Sequence, residues 1–465
     1  MEYELKVSKT KLLVLLLHVY LQYFTISKMK ISEIEIKDFH QFKDFSIDLT
    51  YPKGHAKEGQ PLDKVCFIGQ SGTGKTTLLE LIPCLMYNYQ TNLVKKTKSY
   101  DYVENVKLIT FLDEKKYVSY FDWDEGNFYF IADNKKHSSS GVYSIQEWKR
   151  SIKSKLIYFP SSLDYDLDIE NYVDITSDNI IDFSQQKVAN VWHLILDKIQ
   201  KYQEEELQIR QEISKTVEQA SNNLEAIQKA LKKLEDWKNT EFNPIQDVAD
   251  NCLDRLLANF KLKVKTELDI KTKDDIGFIK VEDYNKNEIP NGLWSTGTKQ
   301  VILSALPLYL LKPKDTIILF DEPERSLYPD LQRTIVDYYT SLAEDCQFFY
   351  ATHSPIIASS FDPWEIVELK FTEQGKIYRE VYFEGENHID NYKWNPKFMR
   401  WDDILQRVFD LQDDGSPLRR EKLNELATYN VKYRKLEKKG ELDKPEAKEI
   451  IKNIEKLSKE LSTWN

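Results

Sequence analysis

Cysteine is scarce, with four among 465 residues: Cys66, Cys84, Cys252 and Cys346. They stand far apart and form no Cys-x-x-Cys pair, which excludes a disulfide-stapled scaffold and a zinc ribbon and suits reduced thiols in the cytoplasm. Histidine is also sparse, at seven, with no paired His-Asn-His arrangement, so a built-in HNH nuclease is not expected. Long apolar runs are missing except for residues 12–24. That run follows Lys6, Lys9 and Lys11 as in a signal sequence, yet it is too short to span a bilayer and no small-residue cleavage pattern follows. Translation is therefore expected to begin at Met29, with residues 1–28 an upstream extension; a peripheral membrane helix is the alternative. Excess positive charge is lacking too. The net charge of −11 argues against coating DNA by bulk electrostatics. The basic runs Lys95–Lys98 and Lys149–Lys155 read first as solvated loop charge and second as a phosphate-contacting patch.

With 41% apolar residues the chain can bury at least one large core, and its length predicts two or three subdomains. Four short segments carry the chemistry. Gly69-Gln70-Ser71-Gly72-Thr73-Gly74-Lys75-Thr76 matches the Gly-x-x-x-x-Gly-Lys-Thr phosphate loop, between an apolar strand at Val65–Ile68 and a helix that continues through Thr77. Glycines let the backbone N–H groups turn inward over the positive end of that helix, which is what a polyphosphate needs. Lys75 is placed to reach the β- and γ-phosphates of ATP, and the Thr76 hydroxyl to ligate Mg²⁺. A second apolar strand ends in Asp321-Glu322, two acids at the edge of a parallel sheet where ligands collect. Asp321 is expected to hold Mg²⁺ through water and Glu322 to polarise the attacking water. A third strand, Gln347–Ala351, ends in Thr352-His353-Ser354, and His353 is expected to meet the γ-phosphate. Finally Ser295-Thr296-Gly297 precedes an apolar helix, so Ser295 and Gly297 sit at a positive helix end; the alternative is an ordinary Ser/Thr cap.

In this order the segments resemble the ABC-type ATPases of the SMC and RecF group, from Met29 onward. The resemblance implies an α/β P-loop NTPase with an ABC/SMC-like head, an antiparallel β subdomain, a helical coiled-coil insertion and a helical C-terminal tail. It also implies a first hairpin from Met29 whose residues can reach the adenine, and a head-to-tail dimer or higher homo-oligomer in which Ser295 and Gly297 meet the γ-phosphate held by another subunit. Two positions depart from the group: Ser161-Ser162, not a glutamine, follow the strand Lys155–Pro160, and Tyr328 stands where many relatives have histidine. The expected division is residues 29–187 and 263–385 as two halves of the head, 188–262 as the helical insertion, and 386–465 as the tail.

Within the head, alternating apolar residues from Val103 to Phe130 predict antiparallel strands. From Val188 to Lys238 there is neither Gly nor Pro, and Ile213, Val217, Ala220, Leu224, Ile227, Leu231 and Leu234 repeat at four-three spacing. The unbroken register favours one helix, roughly 75 Å long at about 1.5 Å per residue, over a hairpin turning near Ser221-Asn222-Asn223. Val381–Asn387 looks like the opening of a TOPRIM nuclease, but no later strand ends in Asp-x-Asp. The tail predicts a helix at Trp401–Leu411, then two more opening near Ser416-Pro417 and Pro445. This layout resembles the ATPase subunits of two-gene antiphage systems, the Septu type first and the PARIS type second. That resemblance implies a separate nuclease partner, HNH more than TOPRIM, with nucleic acid reached through the partner and no membrane. A RecF-like DNA-repair ATPase and a nucleotide-sensing scaffold with little turnover are the alternative functions.

Overall fold

The computed structural model describes residues 29–87, 106–112, 115–122, 127–132, 135–138, 155–163, 174–175, 178–219, 224–267, 279–381, 395–409, 411 and 415–461. The apolar run at 12–24, the basic runs apart from Lys155, the turn at 221–223 and the TOPRIM-like segment beyond Val381 lie outside them. The chain forms two units, one reaching Phe398 and one beginning at Met399.

Among the described residues the first unit is built on a thirteen-stranded sheet. Its parallel part runs in the spatial order Ile366–Phe371, Lys64–Gly69, Gln347–Ala351, Ile317–Asp321, Leu156–Phe159, Ile180–Asp182. The Ile317–Asp321 and Gln347–Ala351 strands are buried along their whole length, and Lys64–Gly69 is buried at all but its two ends. Strands enclosed on both faces require near-continuous apolar sequence, as Ile-Ile-Leu-Phe and Phe-Phe-Tyr-Ala supply.

Beyond Ile366–Phe371 the sheet continues through Ile377–Arg379 into a run that is antiparallel from Phe42–Asp48 through Met29–Phe39, Val106–Leu112, Lys115–Asp122, Asn127–Ala132 and Lys135–Ser138. A register shift between Ile31 and Glu33 explains one oddity of the sequence. The inward set switches there from Met29 and Ile31 to Ile34 and Ile36, all buried, because one extra residue reverses the alternation.

The sheet curls so that this antiparallel run returns to the base of the parallel part. Gln347 accepts from the Ile31 N–H at 2.7 Å and donates to the Ile31 and Leu62 carbonyls at 2.8 Å each. Nearby, Lys30 and Lys57 both pair with Asp63. Leu78, Leu79, Leu81, Ile82, Leu85 and Met86 of the helix Lys75–Tyr87 join one apolar core with Ile31, Ile34, Phe42, Val65, Leu319 and Phe349. On Phe320 stack Phe159 at 4.6 Å, Tyr339 at 4.7 Å and Tyr350 at 5.3 Å, which fixes the acid-bearing strand against the helix Pro329–Ser341.

The single long helix is corrected to a helical hairpin. Ala189–Gln219 and Leu224–Thr240 fold back on one another, with Lys233 on Glu212 at 2.6 Å, Lys238 on Glu206 at 3.1 Å and the Tyr202 and Trp237 rings 4.7 Å apart. Only the first turns are buried, at Val191, Trp192, Ile195, Leu196 and Ile199, and none of the second helix is. Of the expected seam, Val217, Leu224 and Leu231 are exposed. Helices Pro244–Val248 and Asp254–Leu257 return the chain to a three-stranded sheet of Leu262–Val264, Val281–Asp283 and Glu288–Ile289.

In the second unit the helix Trp401–Arg407 precedes the pair Pro417–Lys438 and Pro445–Leu461. Ser416 caps the first of the pair by accepting from the Arg419 N–H, and Lys422 pairs with Glu460 across the two. Among the described residues no helix is long and apolar enough to cross a membrane.

Candidate nucleotide site

Three strands bring the expected residues to one edge of the parallel sheet. Lys64–Gly69 leads into the loop, Ile317–Asp321 delivers the acids, and Gln347–Ala351, which lies between them, delivers Thr352 and His353. The loop is fixed by its glycines. Gly69, Gly72 and Gly74 have φ of 143°, 85° and 79°, a region that disfavours any side chain. A Cβ on Gly69 would also meet the Leu369 carbonyl oxygen at 2.3 Å, and one on Gly74 the Phe42 ring at 2.5 Å. Thr73 closes the turn by donating to the Gln70 carbonyl at 2.8 Å. Gln70 and Ser71 lie on the outer side of the loop, and Thr77 is half-buried in the first helical turn.

Lys75 folds over this loop, its Nζ donating to the Gly69 and Gln70 carbonyls at 2.9 and 3.0 Å. Burial pushes its ammonium down to about 8, partly offset by the charges of Asp321, Glu322 and Glu324. The Thr76 hydroxyl lies 3.0 Å from each carboxylate oxygen of Asp321. Burial, with Glu322 and Glu80 nearby, raises Asp321 to about 7 against the lowering effect of the Thr76 hydrogen bond. A hydroxyl and a buried carboxylate short of positive charge form a donor set that suits Mg²⁺, which keeps several waters and takes few protein ligands. The residues present therefore fit both the metal and a polyphosphate.

Glu322 is half-buried and left-handed, with φ of 47°. Such a backbone in a non-glycine residue persists only where its surroundings hold it. Its N–H donates to the Ala351 carbonyl at 2.8 Å, and its carboxylate lies 3.9 Å from His353 Nε2. Burial and the Lys75 charge lower the His353 imidazole below its ordinary value, against the pull of Glu322. The ring is thus neutral near pH 7 and presents one N–H donor.

Ser295 and Gly297 take part in a different set of contacts. Ser295 is exposed and caps the helix Thr296–Leu311, accepting from the Thr298 N–H at 3.1 Å. Gly297 is buried, and a Cβ there would stand 2.6 Å from the Ser326 carbonyl in the loop after the acids. Ser161 and Ser162 follow the Leu156–Phe159 strand, and the Ser161 carbonyl accepts from Arg325 at 3.3 Å. Glu324 and Thr352, to which the motifs give no role, hydrogen-bond at 2.6 Å beside the acids. The sequence signal for Thr352 is a polar residue placed directly after the apolar run Phe348–Ala351.

The chain belongs to the AAA ATPase domain family, whose profile matches residues 29–358. It is an α/β P-loop NTPase with a mixed sheet and helices. It is also similar to the protein named Endonuclease GajA from Bacillus cereus (strain VD045), with 22% identity over 373 residues, 76% of this chain and 60% of that protein. The chain thus spans little more than half the length of that relative. Among solved structures it is similar to the Smc head domain with an extended coiled coil bound to the C-terminal domain of ScpA from Pyrococcus furiosus (12% identity, 76% of this chain, 96% of that chain, TM-score 0.37). The SMC head domain from Thermotoga maritima gives 11%, 77%, 100% and 0.38. Likenesses of that size bear on neither activity nor assembly.

Proposed function

We propose that this chain binds ATP with Mg²⁺ and hydrolyses its terminal phosphoanhydride. The observation that carries this reading is the convergence at one sheet edge of Lys75, the Thr76–Asp321 pair, and Glu322 opposite His353. Lys75 exchanges two backbone carbonyls for phosphate oxygens. Glu322 takes the proton from the attacking water, and His353 donates its N–H to the terminal phosphate. Thr76 and Asp321 would hold Mg²⁺, which when bound neutralises charge on the phosphates. Phosphate release by the full chain, compared with Lys75→Ala and Glu322→Gln, tests the reading; equal turnover in all three would sink it.

The exposed Ser295 hydroxyl at the positive end of a sixteen-residue helix supports a composite site, in which it and Gly297 serve ATP held by a second copy in a head-to-tail dimer or larger oligomer. Residues 29–187 and 263–385 then act as the two halves of the head, 188–262 as a projecting insertion and 386–465 as an assembly tail. We further propose that this ATPase serves an antiphage defence complex and that its dimerisation governs a separate nuclease subunit. A relative named as an endonuclease supports the nuclease link. Purification with the neighbouring gene product, followed by a nuclease assay with and without ATP, tests this. A stable complex with ATP-dependent cleavage supports it, and an ATPase that runs alone and responds only to DNA overturns it.

A further inference from the structure

Glu324 has no part in the reaction as described so far, yet it is the residue that ties the two catalytic turns together. Its Oε1 accepts from the Thr352 hydroxyl at 2.6 Å and from the His353 N–H at 3.1 Å. Its Oε2 is shut off from solvent and has no hydrogen bond among the described residues. The Glu322 N–H on the Ala351 carbonyl is a backbone stitch between the same turns. A carboxylate largely withdrawn from water and only half satisfied is costly to keep. Here it is kept where the neighbouring Glu322 backbone is left-handed and must be held, and where His353 must be aimed at the Glu322 carboxylate.

We propose that Glu324 is a positioning residue: its Oε1 clamps the acid turn to the Thr352–His353 turn, so that Glu322 and His353 are held side by side at the sheet edge. The proposal rests on the ATPase reading for its kinetic consequence and on the ligand-free geometry for its structural one. The test uses the full chain with Glu324→Ala, Glu324→Gln and Thr352→Val. Glu324→Ala is expected to lower kcat by about tenfold to a hundredfold, the usual weight of a lost hydrogen bond to a charged group, with KM for ATP within about twofold. Glu324→Gln keeps an oxygen acceptor and restores kcat to within about threefold of the parent. A general loss of stability would not give this split or this rescue. If Glu324→Ala does not fold, Thr352→Val removes the hydroxyl that donates to Glu324 and accepts from the Ser354 N–H, leaves the His353 N–H on Glu324, and is expected to lower kcat by about threefold to tenfold.

The His353 imidazole is followed by NMR in the ligand-free protein, assigned with His353→Ala. Its resonances shift in Glu324→Ala and return in Glu324→Gln. Unmoved His353 resonances overturn the proposal, whether or not ATP is turned over. An unchanged kcat in Glu324→Ala, or an equal fall in Glu324→Gln, overturns it as well. Failure of the ATPase reading shows separately, as wild-type turnover no greater than that of Glu322→Gln.

Discussion

The Thr76 hydroxyl and the Asp321 carboxylate meet at 3.0 Å across 245 residues of sequence. The pair unites the phosphate loop with the acid strand and is the one proposed above to hold Mg²⁺. Lys75, one residue away, rests on the loop carbonyls of Gly69 and Gln70, which phosphate replaces in the proposed reaction. Lys75→Ala is expected to weaken ATP binding at least about a hundredfold, through loss of charge-assisted contacts to two phosphates. Calorimetric titration with Mg·ATP checks this.

Glu322→Gln keeps the shape of the proposed base and removes its proton affinity. Turnover is expected to fall by about 10²- to 10⁴-fold, the usual weight of a general base, while ATP stays bound. Phosphate release together with retained radiolabelled ATP measures both effects.

Ser295→Arg puts a long cation at an exposed helix N-terminus that the composite-site proposal turns towards another subunit. The variant should melt within about 1 kcal/mol of the parent, since the site is exposed, yet fail to dimerise with ATP. Light scattering in the presence of ATP and Glu322→Gln decides it; normal dimers would remove the composite site.

Gly74→Ala forces a Cβ to within 2.5 Å of the Phe42 ring at a backbone φ of 79°. The cost is expected to be about 1–3 kcal/mol from strain and crowding. ATP affinity should fall alongside stability, because the same loop carries both. Denaturant unfolding and ATP titration read the two quantities.

Asp63 sits at the opposite edge of the sheet with Lys30, Lys57 and the Tyr51 hydroxyl. Burial alone would raise its carboxyl, but the hydrogen bonds from Lys30 and Lys57 outweigh it and bring it down to about 2. The folded protein therefore binds fewer protons here than the unfolded chain. The stabilisation is fully present above the ordinary carboxylate value and is lost as pH falls from about 4 towards 2. Discounted for partial exposure, Asp63→Asn should cost about 1–2 kcal/mol at pH 7 and much less near pH 2.5. Urea unfolding at the two pH values checks the difference.

The site was the most legible part of the sequence because its chemistry requires particular residues in contiguous runs. A phosphate loop cannot be built without Gly69, Gly74 and Lys75 close together, and Asp321-Glu322 after an apolar strand states its own position. Glu324 with Thr352 was not legible as a pair, since the bond joins residues of ordinary polarity from the turns after two separate strands. Nor was the helical hairpin. Four-three spacing reports which face of a helix is apolar and says nothing of its direction, so the pattern continues from one helix into another that packs back along it. The sheet's curl was hidden for a similar reason: Gln347 reads as the polar start of a strand, and its meaning lies in Ile31, 316 residues earlier.

That glutamine behaves like a clasp on a bracelet. It fastens Ile31 of the antiparallel run, and Leu62, to the start of the Gln347–Ala351 strand, so parts of the sheet far apart in strand order share one three-point link. The strand that carries this link at its first residue carries Ala351, Thr352 and His353 at its other end, so the wall of the core and the candidate site are anchored to the same rod.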